Sequence, residues 1–201
     1  MKWIWMLLLL VSLGSCQLKK VVERDAEGRK ISRYRKHKKT GEIEGRYKGF
    51  HESGGIALIM HYKKGKLDGP VKTYYPNGQL ESLAYTEKDR YEGKFQYWYS
   101  NGQLKQEGQY INGDIEGPLK SYYPNGKLKE IVEFSGSVEN GAYTLYYQNG
   151  KIKEEGHFLK GPNMDGLIKQ YDAEGQLLRK QSCSAGSCET IWERKTAKDE
   201  E

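Results

Sequence analysis

Cysteine and histidine are scarce in this 201-residue sequence, which has three Cys and four His. The histidines are His37, His51, His61 and His157. Their spacing is not that of zinc ligands, so the sequence predicts no metal site. Serine nucleophile motifs and phosphate-binding loops are also missing, and the glutamate pairs alternate between strand faces among lysines. We therefore predict no catalytic residues, no cofactor and no bound metal.

Long apolar runs are limited to one, from Trp3 to Leu13, interrupted by Ser12. Lys2 precedes it, and the run is too short to span a bilayer as a permanent helix, which is typical of a signal peptide. It ends in Leu13-Gly14-Ser15-Cys16, which resembles the lipobox of bacterial lipoproteins. The resemblance implies cleavage before Cys16 and a diacylglycerol on its thiol. The alternative is an ordinary signal peptide with an incidental cysteine.

Acylation of Cys16 would decide where the protein works. Two or three acyl chains, palmitate among them, exceed what stable anchoring requires, so we expect a lipid-anchored protein of the cell envelope. Gln17 follows the cysteine where an aspartate would favour the inner membrane in Gram-negative sorting, and this favours the outer membrane. Export excludes nucleic acid as a natural partner, and the charges are mostly interspersed.

The two remaining cysteines, Cys183 and Cys188, lie close together near the C-terminus. An oxidising compartment favours a small disulfide loop between them. A metal site would need two more ligands nearby, and a redox-active pair would want a tighter spacing and a helix N-terminus. We predict the disulfide.

The body of the chain is a repeat of 24 residues. Asn-Gly pairs mark it at Asn77-Gly78, Asn101-Gly102, Asn125-Gly126 and Asn149-Gly150. Six units begin at glycines: Gly45, Gly69, Gly93, Gly117, Gly141 and Gly166. The predicted organisation is a signal peptide over 1–15, a lipidated tether with a possible degenerate repeat over 16–44, the repeats over 45–180, and a tail over 181–201.

Each unit reads as one β-hairpin. Its sixth position is aromatic in every unit: Phe50, Tyr74, Trp98, Tyr122, Tyr146 and Tyr171. Its twelfth position, just after the turn, is always aliphatic: Ile56, Leu80, Leu104, Leu128, Ile152 and Leu177. Two β-prone runs joined by a glycine turn predict a hairpin, and frequent glycines and prolines exclude helices. The predicted fold is all-β, with tandem antiparallel hairpins forming an elongated, twisted single sheet.

The fourth unit carries a family resemblance. Its segment 117–130, which contains Tyr-Tyr-Pro-Asn-Gly-Lys-Leu-Lys-Glu, resembles the repeat of the MORN-repeat variant family. The likeness recurs in phase over residues 45–180. Proteins of this family are frequently described as antitoxin-like, of the YwqK type. Because an anchored, exported protein cannot neutralise a cytoplasmic toxin, such a role here would be that of an antitoxin or immunity protein acting in the periplasm or at the surface.

Two hairpin registers are compatible with the turn residues. A two-residue Asn-Gly turn places positions 3, 7, 12, 16 and 18 on one face, which segregates apolar residues well. Prolines such as Pro76 and Pro124 fit instead a type I turn followed by a glycine bulge, which pairs position 6 with position 12. One register reverses the faces of the other. We favour the first.

The favoured register suggests a binding strip of four aromatic residues: Tyr74, Trp98, Tyr122 and Tyr146. It places them with Lys105, Lys129 and Lys153 on the more polar face. Such a strip predicts a non-catalytic scaffold for a protein or glycan of the envelope. The alternatives are an antitoxin or immunity protein and a purely structural spacer whose aromatic residues only pack.

Overall fold

The computed structural model describes residues 17–195. The predicted signal peptide over 1–15 and the predicted lipidation site, Cys16, lie outside the described residues. Within the described part there is no helix, and all strands belong to one antiparallel sheet of eighteen strands. The predicted all-β fold of tandem hairpins is therefore confirmed.

The strands follow one another along the chain. The first nine are β1 (Leu18–Arg24), β2 (Lys30–His37), β3 (Gly45–Phe50), β4 (Ile56–Lys63), β5 (Lys66–Leu67), β6 (Gly69–Tyr74), β7 (Leu80–Glu87), β8 (Arg90–Tyr91) and β9 (Gly93–Trp98). The others are β10 (Leu104–Ile111), β11 (Asp114–Ile115), β12 (Gly117–Tyr122), β13 (Leu128–Ser135), β14 (Val138–Tyr146), β15 (Ile152–Phe158), β16 (Gly166–Tyr171), β17 (Leu177–Ser184) and β18 (Ser187–Glu193).

The sheet is a meander in which each hairpin pairs with the next. Six hairpins correspond to the six repeats, for example β6 with β7 and β9 with β10. The second strand of each hairpin pairs with the first strand of the following one, as β7 does with β9. Each hairpin contributes two strands, so the repeats extend the sheet in one direction.

The Asn-Gly turns within the repeats are type I turns with a glycine bulge. In the fourth repeat, the amide of Gly126 donates to the carbonyl of Tyr123 at 2.8 Å. The amide of Tyr123 donates to the carbonyl of Lys127, also at 2.8 Å. Pro124 occupies the first central position of the turn, which its fixed φ suits, and Gly126 takes φ 81°. Asn125 does not adopt the positive φ of a two-residue turn. The favoured two-residue register is therefore wrong.

Two-residue turns do occur, at the other ends of the strands. They connect each of the first three repeats to the next through the short strands β5, β8 and β11. The clearest example is Asn112-Gly113, where both residues have positive φ, 55° and 94°. This is the geometry of a type I′ turn, whose twist matches that of the flanking strands. The chain thus uses Asn-Gly in two different turns.

The bulge decides which residues share a face. Thr73 pairs with Ser82, but Tyr74 pairs with Leu80, so one residue, Glu81, is left over. Positions 3, 5, 14, 16 and 18 lie on one face, which we call the core face. Positions 2, 4, 6, 12, 15 and 17 lie on the other, which we call the stripe face. The predicted grouping of positions 7 and 12 on one face is wrong, because the extra residue shifts position 12 to the face of position 6.

The core lies along the core face. Its most buried apolar side chains are Phe95, Tyr143 and Ile168, with 1 to 2% of their surface exposed. The ring of Tyr143 stacks on that of Phe158, with centroids 4.4 Å apart. Glycine makes room for these side chains, since a Cβ on Gly156 would lie 2.3 Å from the Ile168 Cδ1. The buried area is narrow, as expected of a single sheet whose repeats depend on their neighbours.

Both ends of the repeat array continue the sheet. Residues 18–37 form the hairpin β1–β2. The sequence was compatible here with either a tether or a degenerate repeat. Its turn repeats the glycine bulge, with the amide of Gly28 donating to the Asp25 carbonyl at 3.1 Å. At the other end β18 pairs with β17, and a disulfide joins Cys183 to Cys188 across this pair.

Candidate binding stripe

The four predicted strip residues do form one row. Each ends the first strand of its hairpin and lies opposite the aliphatic residue of position 12: Tyr74 opposite Leu80, Trp98 opposite Leu104, Tyr122 opposite Leu128, and Tyr146 opposite Ile152. All eight side chains are half-buried. We call these eight residues the aromatic stripe. It runs across the sheet as alternating aromatic and aliphatic groups.

The neighbours predicted for the strip residues are wrong. Lys105 and Lys153 were expected beside position 6, but their ammonium groups lie over the rings of position 7. The distance from Nζ to the ring centroid is 5.8 Å for Lys105 over Tyr99 and 6.0 Å for Lys153 over Tyr147. The cause is again the bulge. Position 13 is the extra residue, so it does not share the face of positions 6 and 12. Each ring of the stripe consequently lies opposite an aliphatic side chain and not beside the lysine that the sequence suggested.

The hydroxyl of Tyr122 is held by a carboxylate of the preceding repeat. It donates to Glu107 Oε1 at 2.8 Å. Burial and this hydrogen bond raise the pKa of Tyr122 to about 12. Tyr171 at the same position of the last repeat donates to Glu155 Oε1 at 2.8 Å. Lys169 also donates to this carboxylate at 3.0 Å, and the two hydrogen bonds lower the pKa of Glu155. These contacts hold individual rings in fixed orientations on the stripe face.

Position 7 has a role that the sequence did not reveal. Its tyrosine hydroxyl donates to the backbone carbonyl of position 6 in the next repeat, as Tyr99 does to Tyr122 at 2.8 Å. The same bond is made by Tyr75, Tyr123 and Tyr147. His51 replaces it in the first repeat, with its Nε2 2.7 Å from the Tyr74 carbonyl oxygen. The recurrence of adjacent aromatic residues at positions 6 and 7 was the available signal.

The turn asparagines form a second ladder between repeats. The side-chain amide of Asn101 donates to the carbonyl of Pro124 at 3.1 Å, and its Oδ1 accepts the amide of Gln103 at 3.0 Å. Asn77 and Asn149 repeat both bonds. Asparagine is therefore used for its side chain, since its backbone does not take the left-handed conformation. The two ladders fix the spacing of the stripe residues from one repeat to the next.

Metal-ligating side chains do not cluster in the described part of the chain. Among residues 17–195, no group of three or more His, Cys, Asp or Glu side chains is placed to hold a metal ion. Nor do these residues form a helix that is long and apolar enough to span a membrane. The described surface does carry a periodic row of rings, the aromatic stripe.

The period of the geometry agrees with a comparison to known families. The MORN repeat variant family matches the chain six times, at residues 43–64, 67–88, 91–112, 115–135, 139–160 and 164–182. The chain belongs to this family. MORN repeat proteins are in general non-catalytic repeat and binding proteins. The comparison with curated proteins found no match. The β1–β2 hairpin lies outside the matched repeats.

Proposed function

We propose that this MORN repeat protein is a lipid-anchored scaffold of the cell envelope that binds a protein or glycan through its aromatic stripe and has no catalytic activity. The observation that carries the proposal is the stripe itself, repeated once per hairpin on a face that no second layer covers among residues 17–195. Half-buried rings in such a row offer apolar surface together with tyrosine hydroxyls.

The spacing of the rings selects the class of partner. Successive stripe aromatics are two strands apart, which corresponds to roughly 9 to 10 Å. A compact metabolite would reach one or two of them. An extended peptide or an oligosaccharide lying across the strands would contact one ring per repeat, so we propose an elongated ligand.

The anchor is proposed from the sequence of residues 1–16. Substitution Cys16→Ala removes the only thiol near the predicted cleavage site. We expect the variant to lose palmitate incorporation and to leave the membrane fraction after cell disruption. Unchanged labelling with radioactive palmitate would show that another group carries the lipid and would refute Cys16 as the lipidation site.

The stripe is tested by replacing rings while keeping apolar bulk. In a Trp98→Leu, Tyr146→Leu variant, leucine can still pack against the aliphatic residue of position 12, so the fold should persist. The contacts that these two rings make with the ligand should be lost. A control with Tyr85→Leu and Tyr91→Leu changes two exposed aromatic residues outside the stripe. We expect crosslinking to envelope material in intact cells to decrease only in the first variant. Equal crosslinking in both variants would favour a structural spacer whose aromatic residues only pack.

A further inference from the structure

The positive charge of the chain is concentrated at one end. Residues 17–50 contain 12 Lys and Arg against 5 Asp and Glu, a net charge of +7. Residues 51–201 contain 20 Lys and Arg against 22 Asp and Glu, a net charge of −2. The interspersed pattern that the sequence suggests therefore holds only after β3. The strands β1, β2 and β3 contain nine of these basic residues and only one of the acidic residues, Glu23.

Several of these cations lie directly opposite one another on the stripe face. Lys20 pairs with Arg35 between β1 and β2, and Arg24 pairs with Lys30. Arg33 pairs with Lys48 between β2 and β3. Like charges at directly opposed positions of neighbouring strands destabilise a sheet. Each of these pairs therefore lowers the stability of the sheet, and bound negative charge would offset this loss.

At the corresponding pair of positions, the later repeats carry different residues. The pair formed by Arg33 and Lys48 joins position 15 of one unit to position 4 of the next. Two later junctions carry opposite charges at this pair, Glu107 with Lys120 and Glu155 with Lys169, and the second forms a salt bridge of 3.0 Å. The other three junctions carry at most one charge there: Ile59 with Lys72, Leu83 with Gln96, and Ile131 with Thr144. None of the five later junctions joins two cations at this pair, so the two facing cations at the N-terminal end are a specific departure from the repeat.

The cations surround a shallow depression of ≈ 560 Å³. Five basic side chains line it: Lys20, Arg33, Arg35, Arg46 and Lys48. None of the five forms an ion pair with an acid of residues 17–195. The one carboxylate at its rim, Glu44, accepts the backbone amide of Lys64 at 2.7 Å. We call these five residues the basic face.

We propose that the basic face binds the phosphate groups of anionic phospholipids in the membrane that holds the acylated Cys16. This inference rests on the proposed lipid anchor. Lys20 is four residues from Cys16, so at most about 14 Å of extended chain separates them, and the face cannot be far from the lipid surface. Its cations form a two-dimensional grid, with neighbouring strands about 5 Å apart, which suits a plane of headgroups better than one linear polymer.

This orientation leaves the aromatic stripe available. Adjacent strands of a sheet rotate by roughly 20 to 25° relative to one another. Five strand-to-strand steps lead from β2 to β9 through β3, β4, β6 and β7. The stripe face at Trp98 is consequently turned by about 100° from the basic face. Lipid binding at β1–β3 would hold the later repeats clear of the membrane.

Lysine labelling on vesicles tests the proposal. The purified, acylated full-length protein is incorporated into vesicles of phosphatidylcholine, or of an equimolar mixture with phosphatidylglycerol, and treated with an amine-reactive reagent. We expect Lys48 to react at least about fivefold more slowly on the anionic vesicles, since each cation near such a surface contributes about that factor. High salt should remove the protection, and Lys127 should react equally on both.

A matched pair of variants assigns the effect. Lys20→Gln, Arg33→Gln, Arg35→Gln should abolish the protection of Lys48. The control Lys105→Gln, Lys129→Gln, Lys153→Gln removes the same charge from exposed side chains of later repeats and should keep it. Equal protection in both variants would overturn the proposal. Protection by inorganic phosphate at the same phosphate concentration, or by a soluble polyanion without vesicles, would equally overturn the assignment to lipid.

The experiment distinguishes a failure of the proposed lipid anchor from a failure of the proposed basic face. If the protein does not float with pure phosphatidylcholine vesicles, the lipid anchor is wrong, and protection of Lys48 on added anionic vesicles would still support the face. If it floats with them but Lys48 reacts equally on neutral and anionic vesicles, the anchor stands and the basic face does not bind lipid.

Discussion

Gly126 closes its hairpin in the left-handed conformation, and this makes it a sensitive residue. A Cβ there would also lie 2.9 Å from Gln103 Oε1. We expect Gly126→Val to lower the free energy of unfolding by about 1 kcal/mol or more, because β-branched residues are strained at positive φ. Gly126→Asn is the control and should lose less, since asparagine tolerates this conformation. Equal urea midpoints for the valine variant and the wild type would contradict the turn geometry.

Tyr122 links stability to alkaline pH. Its pKa of about 12 lies above the ordinary value of 10.0, so the folded chain retains the proton that the unfolded chain loses. The contribution is complete below pH 10 and is lost as the pH rises toward 12. We expect Tyr122→Phe to show a smaller decrease in the free energy of unfolding over this range. Parallel decreases in both proteins, measured by urea unfolding, would show that this tyrosine is not linked to folding.

Strand glycines act between elements, where they admit side chains from neighbouring strands. Gly156→Ala on β15 would bring a methyl group 2.3 Å from Ile168 Cδ1 on β16, so we expect a loss of about 1 to 3 kcal/mol from overpacking. Gly49→Ala on β3 is the control, since its nearest neighbour would be the Leu58 Cβ at 3.4 Å. The two variants should differ clearly in thermal denaturation. Similar melting temperatures would mean that the core around Gly156 is not close-packed.

The edge strand β18 has exposed side chains along its whole length, so we expect its pairing with β17 to depend on the disulfide. A crosslink over five residues restricts the unfolded chain by about 2 kcal/mol. We expect Cys183→Ser, Cys188→Ser to destabilise the protein by about this amount and to speed amide exchange of β18, while β1 to β9 exchange as before. Unchanged exchange in β18 would show that strand pairing alone holds the edge.

The sequence predicted the elements better than their register. A period of 24 with one glycine turn per unit was enough to place the hairpins, since each repeat carries the same local signal. The register depends on a single bulged residue, and Asn-Gly fits both turn types. Pro124 at the first central position was the deciding residue, but proline is absent from this position in the third repeat, where Ser100 replaces it. The charge pairing of β1–β3 emerged only from the strand alignment.

The whole molecule is a linear array, and its stability should spread from neighbour to neighbour. Phe95 has 2% of its surface exposed, and it contacts the Tyr110 ring at 4.6 Å between centroids. We expect Phe95→Ala to cost about 3 to 5 kcal/mol locally. In an array of nearest-neighbour contacts, amide exchange should rise most in β7 to β12 and much less in β1–β2 and β16–β18. Hydrogen exchange with peptide resolution measures this gradient. Tyr85→Ala, an exposed aromatic of β7, is the control and should leave the pattern unchanged. A uniform rise over all strands would mean that the sheet unfolds as one cooperative unit. In that case the lipid-facing end and the stripe would be coupled through the entire sheet, and local damage to one would disable the other.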